Sequence, residues 1–178
     1  SNDFDKLETP QQFLDNNKYA RLVINGGYFI KDNNPTKHVG LLKTNGKLEE
    51  AASHSIFRDG KRYYINRGAF GILNNGKVDI SWCSTRNDSI FYWDKPFKNR
   101  PGYPIDSFSF KDSKFWDVSN ALHAGPVLIN NKRINVTVEE EVFFNAPIAG
   151  VQPRSAIGYT DDSKIIMMIV DGRQQISR

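Results

Sequence analysis

Two arginines and an aspartate near the C-terminus have the types and spacing for anion chemistry. Pro153-Arg154-Ser155-Ala156-Ile157-Gly158-Tyr159 is followed by the apolar run Ile165-Ile166-Met167-Met168-Ile169-Val170 and then by Asp171-Gly172-Arg173-Gln174. Both stretches read as strands joined by a turn at Asp161-Asp162-Ser163. Arg154 enters the first strand and Asp171 leaves the second, so antiparallel pairing sets these two ends side by side. A guanidinium grips phosphate or carboxylate through two parallel hydrogen bonds. A carboxylate beside it can activate water or stabilise positive charge on a reacting carbon. A run as apolar as 165–170 is expected to be buried, with Asp171 standing where core meets solvent. An ion pair tying strand ends together accounts for the same residues without chemistry.

Two further motifs carry polar groups next to small residues. In Asn25-Gly26-Gly27-Tyr28-Phe29 the paired glycines let backbone N–H groups approach a ligand, as in an anion-binding nest, or simply turn the chain out of a sheet. In Ala121-Leu122-His123-Ala124-Gly125-Pro126 a histidine precedes a predicted strand and has small neighbours. Such a histidine either shuttles protons near neutral pH or serves as a structural hydrogen-bonder. His38 and His54 have weaker contexts, and the three histidines are spaced too irregularly for a zinc site. No Gly-rich phosphate loop, Gly-x-Ser-x-Gly elbow or calcium loop is present.

The elements that position these groups read as strand-rich. Thr9-Pro10-Gln11-Gln12 opens a short helix, with Thr9 as N-cap, Pro10 at the first helical position and Gln12 closing a capping box. Residues 20–24 read as a buried strand broken by Asn25-Gly26-Gly27. Strands are predicted at 39–43, 55–58, 61–65, 68–73 and 77–82, separated by Asn45-Gly46, Asp59-Gly60 and Asn75-Gly76, each a two-residue hairpin signal. That succession predicts an antiparallel meander. Residues 95–112, rich in proline and aromatics, read either as a lid or as an insertion packed down by Phe97, Tyr103, Phe108 and Phe110. Strands at 126–130 and 132–136 follow, turning at Asn130-Asn131, then a short helix around 138–144 with Glu139, Glu140 and Glu141 near its start. The fold expected is α+β: a strand-rich single domain over 1–178, with antiparallel or mixed sheet and few short helices. The strands ending at Ile24 and Val170 are expected to be neighbours in the central sheet.

Composition narrows the function classes. The 178 residues suffice for one core, and 39% hydrophobic with 25% charged residues describes a globular chain rather than a disordered one. The net charge of +4 is scattered, with basic residues clustering only as pairs such as Lys61-Arg62, which argues against nucleic acid as partner. The single cysteine, Cys83, excludes an internal disulfide and reads as a small apolar filler beside Trp82. No run approaches the roughly 20 apolar residues of a membrane span. The chain opens on Ser1-Asn2-Asp3 without Met, which reads as a trimmed start lacking any signal peptide.

Four motifs in order, Ile24-Asn25-Gly26-Gly27-Tyr28-Phe29, Ala124-Gly125-Pro126-Val127-Leu128-Ile129, Pro153-Arg154-Ser155-Ala156-Ile157-Gly158 and Val170-Asp171-Gly172-Arg173-Gln174, resemble those of the phosphodiester glycosidase family. The resemblance runs from about residue 20 to the C-terminus. The best-known member of that family removes N-acetylglucosamine from a phosphodiester cap on mannose 6-phosphate, and bacterial members are connected with exopolysaccharide. Ser155 stands where the family usually has threonine, which keeps the hydroxyl. Family members continue into a helix and a Leu-Asp-Gly-Gly segment that this chain lacks. The resemblance therefore implies a domain incomplete at both ends, inactive or nearly so by itself.

The resemblance implies hydrolysis of sugar-1-phosphodiester linkages by the full-length protein, on a glycan or sugar-phosphate substrate, with no cofactor or metal. Asp171 and Arg154 would be catalytic. Asn25, Gly26, Gly27, Tyr28, His123, Gly125, Ser155 and Arg173 would bind substrate, with Asn25, His123, Arg154 and Asp171 sharing one cleft and Arg173 at its rim. It also implies a secreted, periplasmic or cell-envelope location. A non-catalytic carbohydrate-binding or envelope-structural module on the same fold is the alternative.

Overall fold

The computed structural model describes residues 8–30, 37–146 and 150–173. One helix, α1 (Pro10–Asn16), is present among them. The strands of the first half are β1 (Phe29–Ile30), β2 (Lys37–His38), β3 (Leu42–Thr44), β4 (Lys47–Glu50), β5 (Ser55–Arg58), β6 (Lys61–Tyr64) and β7 (Arg67–Leu73). They continue with β8 (Val78–Arg86), β9 (Ser89–Trp93), β10 (Lys114–Phe115), β11 (Val118–His123), β12 (Ile129–Asn130), β13 (Arg133–Ile134), β14 (Arg154–Tyr159) and β15 (Ile165–Val170).

The expected α+β class is corrected to an essentially all-β architecture. The one helix is 7 residues long and buries none of them, so it adds no helical layer to the core. It has the predicted capping box: the Thr9 side chain accepts from the Gln12 N–H, and the Gln12 side chain accepts from the Thr9 N–H. The second predicted helix, around 138–144, is a run of turns. Val142 takes a positive φ of 60°, which the right-handed helix does not allow, and the Phe143 N–H reaches back to the Val138 carbonyl.

A seven-stranded sheet of order β10-β9-β8-β7-β11-β3-β4 dominates, every pair antiparallel. Four two-stranded sheets accompany it. The predicted turns explain much of the connectivity. Asn45-Gly46 and Asp59-Gly60 both carry the paired positive φ of the hairpin turn that matches strand twist. At Asn75-Gly76 only the glycine is left-handed, closing a longer loop through Gly76 N–H to Leu73 O at 2.9 Å. The next predicted turn shifts by one residue, to Asn131-Lys132 between β12 and β13.

Strand β8 sits deep in the sheet, with Ser81, Trp82, Cys83, Ser84 and Thr85 all buried. Cys83 joins Leu41, Ala52, Ala69, Ile90, Trp116, Val118 and Ala121 in the core on one face, a small apolar filler as its sequence setting indicates. Its neighbour Trp82 points to the opposite face, as strand alternation requires. A second cluster of Tyr63, Ile65, Val142 and Phe144 lies beside β5–β6. The excursion 95–112 is packed down rather than lifted as a lid: Phe97 and Phe108 meet Trp93 edge-on, Phe110 stacks against it, and Phe108 also stacks on His54 at 4.3 Å. Tyr103 is the exception and is exposed.

Three further expectations fail. Residues 20–24 form no strand, because among the described residues their backbone finds no ladder partner. Ile24 and Val170 therefore do not end neighbouring strands of the central sheet: β15 pairs with β14 alone. The run 165–170 is also not buried. Its six side chains are between 39% (Met167) and 66% (Ile169) exposed, since among the described residues no layer covers the hairpin. None of the described helices is long and apolar enough to cross a membrane.

Candidate functional site

The ends of β7 and β11 build the cleft. Ala69 pairs with His123 across these strands, so the start of β7 at Arg67 and the exit of β11 at Ala124 share one end of the sheet. The Ala124 N–H continues the ladder to the Gly68 carbonyl at 3.0 Å. Residues 25–28 lie over this end. A side chain on Gly27 would place its first carbon 2.3 Å from the His123 carbonyl oxygen, so glycine here serves close backbone approach. Neither Gly26 nor Gly27 has the positive φ that a nest needs. The Tyr28 hydroxyl donates to the Gly125 carbonyl at 3.1 Å. A cavity of about 20 Å³ results, lined by Tyr28, Val39, Gly40, Ser53, Ile65, Arg67, His123 and Ala124. That is room for about one water-sized group.

His123 forms one wall as a buried, neutral ring. The Leu41 N–H donates to Nδ1 at 3.1 Å, which fixes the proton on Nε2, 3.4 Å from the Cys83 sulfur. Burial, and after it the charge of Arg67, lowers its pKa to about 3. Between that value and the usual 6.5 the unfolded chain binds a proton that the folded chain refuses. Stability is therefore expected to fall as pH drops through this window, by up to about 1.4 kcal/mol per pH unit. Urea denaturation of wild type and His123→Gln at several pH values isolates the contribution: the variant should show the shallower loss, and equal slopes would contradict it.

Beneath the cleft lies Glu141, an acid expected near a helix start and found instead in a run of turns. It is wholly buried. Its Oε2 accepts from the Gly68 N–H at 2.7 Å. Its Oε1 accepts from Trp82 Nε1 at 3.0 Å, the Val127 N–H at 2.9 Å and the Thr137 hydroxyl at 2.5 Å. Burial raises this carboxyl above its ordinary range, against the pull of those four donors. Gly125, at φ +84°, leaves the space: a side chain there would start 2.5 Å from Oε2. Glu141 thus pins β7, β8 and the 125–127 segment together.

Arg67 was also missed. Its Nε donates to the Glu141 backbone carbonyl at 3.2 Å, and its guanidinium lies 4.3 Å over the Phe143 ring. Burial lowers its pKa, opposed chiefly by the charge of Glu141. The usable signal was Asn66-Arg67 at a strand start, polar residues amid a buried apolar run.

The C-terminal hairpin supplies the remaining predicted residues. Arg154 pairs opposite Val170, which sets Asp171 beside it as the register argument requires. Arg154 donates to the Gly150 carbonyl at 2.9 Å and is exposed, as are Ser155 and Asp171. Its charge is felt at Tyr28: burial raises that phenol's pKa, and Arg67 followed by Arg154 opposes the rise. Gly27, Tyr28, His123 and Gly125 are thus brought together by contact, whereas Arg154 stands on the exposed hairpin and is not among the residues lining the cavity. Arg173 instead holds the Gln152 side chain, its Nε at 2.7 Å from Oε1. Asn25 and Gly26 are exposed, and Gly26 approaches Leu122. Among the described residues no three His, Cys, Asp or Glu side chains gather closely enough to hold a metal.

A family model described as phosphodiester glycosidase matches residues 18–178. No curated protein and no solved structure matches the chain.

Proposed function

The chain belongs to the phosphodiester glycosidase family, and from that premise we propose that it hydrolyses the bond between a sugar's anomeric carbon and a phosphodiester oxygen. The observation that carries the proposal is the extent of the match, which takes in all four motifs and the residues around the cleft. In this reading water adds to the anomeric carbon and the carbon–oxygen bond breaks. The phosphate leaves as a monoester with the bonding electron pair.

Each charged group then has a task. Arg154 pairs with the phosphate oxygens and so stabilises the leaving group, for which a guanidinium is the best-shaped donor. Asp171, beside it on the hairpin, takes the proton from water or stabilises positive charge at the anomeric carbon. At the mouth of the cleft Tyr28 and Asn25 offer an aromatic face and a polar group to the sugar, while His123, buried and with both ring nitrogens engaged, shapes the inner wall. N-acetylglucosamine is the first sugar to try, and an envelope or extracellular glycan the first setting.

The test is a panel of sugar-1-phosphodiesters offered to the intact natural protein, with free sugar and phosphomonoester measured as products. Release of both is expected. Tight glycan binding without release from any member would instead favour a binding module.

A further inference from the structure

We infer that Arg67 is a phosphate-binding residue, its guanidinium receiving a non-bridging phosphate oxygen at the inner end of the cleft beside Tyr28. Three features set it apart from an arginine that only braces the fold. Arg67 is half-buried, yet among the described residues it makes no ion pair with any carboxylate. The nearest buried carboxylate, Glu141, spends its oxygens on four other donors. A partly desolvated cation offset chiefly by the charge of Glu141, which lies beyond ion-pair reach, gains from an anion in direct contact.

The side chain is also held ready. Nε is fixed by the Glu141 carbonyl and the plane rests on Phe143, while among the described residues neither terminal nitrogen donates a hydrogen bond. Those two nitrogens are the pair that binds phosphate in parallel. Their cavity admits about one water-sized group, which suits a phosphate oxygen and excludes a sugar ring.

That the natural anion is a sugar phosphodiester rests on the function proposed above; the anion site itself rests only on the surroundings of Arg67. The experiment is titration of the intact protein with inorganic phosphate by calorimetry, for wild type, Arg67→Met and Arg67→Lys. Methionine keeps an apolar stem against Phe143, and thermal melts establish that each variant is folded. Phosphate affinity is expected to fall at least about tenfold in Arg67→Met, with Arg67→Lys between. The Arg67 Nε–H resonance of wild type, identified by its loss in Arg67→Lys, should move on adding phosphate, a readout that does not depend on the methionine variant folding. Unchanged affinity in folded Arg67→Met, an unmoved resonance, or no phosphate binding by wild type would each overturn the inference. Phosphate binding through Arg67 without turnover of any sugar phosphodiester would uphold this site and remove the glycosidase reading. Turnover with an unchanged KM in Arg67→Met would do the reverse.

Discussion

Asp171→Asn and Arg154→Ala are each expected to lower kcat/KM for a sugar-1-phosphodiester by at least about 100-fold, or about 2.7 kcal/mol of transition-state stabilisation. Asparagine matches the shape of aspartate but removes the charge and the proton-accepting power. Because Asp171 is exposed at a strand exit, the change should leave the melting temperature nearly untouched. Arg154→Ala removes the guanidinium and also its bond to the Gly150 carbonyl, so its melting temperature must be measured alongside. The two variants should separate in one respect. Inorganic phosphate is expected to inhibit wild type and Asp171→Asn, and Arg154→Ala much less, because only the last has lost a phosphate donor. Activity of either variant within about threefold of wild type would remove that residue from the mechanism.

Glu141→Ala is expected to destabilise the fold by about 3–5 kcal/mol, a large part of what a domain of this size has to lose. The carboxylate satisfies two backbone N–H groups, an indole N–H and a hydroxyl, and so ties residues 68 and 82 to the 127–141 segment. Removing it strands the Gly68, Val127 and Trp82 N–H groups in the interior, each costing about 1–3 kcal/mol where water cannot enter, while the Thr137 hydroxyl keeps the Val127 carbonyl as partner. Glu141→Gln is expected to cost less, about 1–3 kcal/mol. Its amide nitrogen is expected to face the lone donor from Gly68 rather than the three on Oε1, so one contact turns from attraction to repulsion. Urea denaturation decides the matter, and a loss below about 1 kcal/mol for Glu141→Ala would contradict the clamp.

What could be read in advance followed from how local each signal is. The capping box at Thr9–Gln12 and the turns at Asn45-Gly46 and Asp59-Gly60 are set by residues a few positions apart, and the structure carries all of them. The pairing of Arg154 beside Asp171 follows from a short hairpin for the same reason. The α+β class failed at residues 138–144, where three glutamates suggested a helix start. There the deciding contacts come from Gly68, Trp82 and Val127, which no short window of sequence displays. The same applies to Arg67, whose place beside Tyr28 and His123 depends on β11 lying between β7 and β3. Apolarity alone predicted burial of 165–170, but burial needs a covering layer, and the described residues supply none.

Hydrolysis in water labelled with oxygen-18 tests the central claim most directly. The intact protein is given an N-acetylglucosamine-1-phosphodiester, and both products are weighed by mass spectrometry before the sugar exchanges its anomeric oxygen. Attack at the anomeric carbon puts the label on the sugar and leaves the phosphomonoester unlabelled, which is the expected result. Label on the phosphomonoester would mean attack at phosphorus, and the protein would then be a phosphodiesterase rather than a glycosidase.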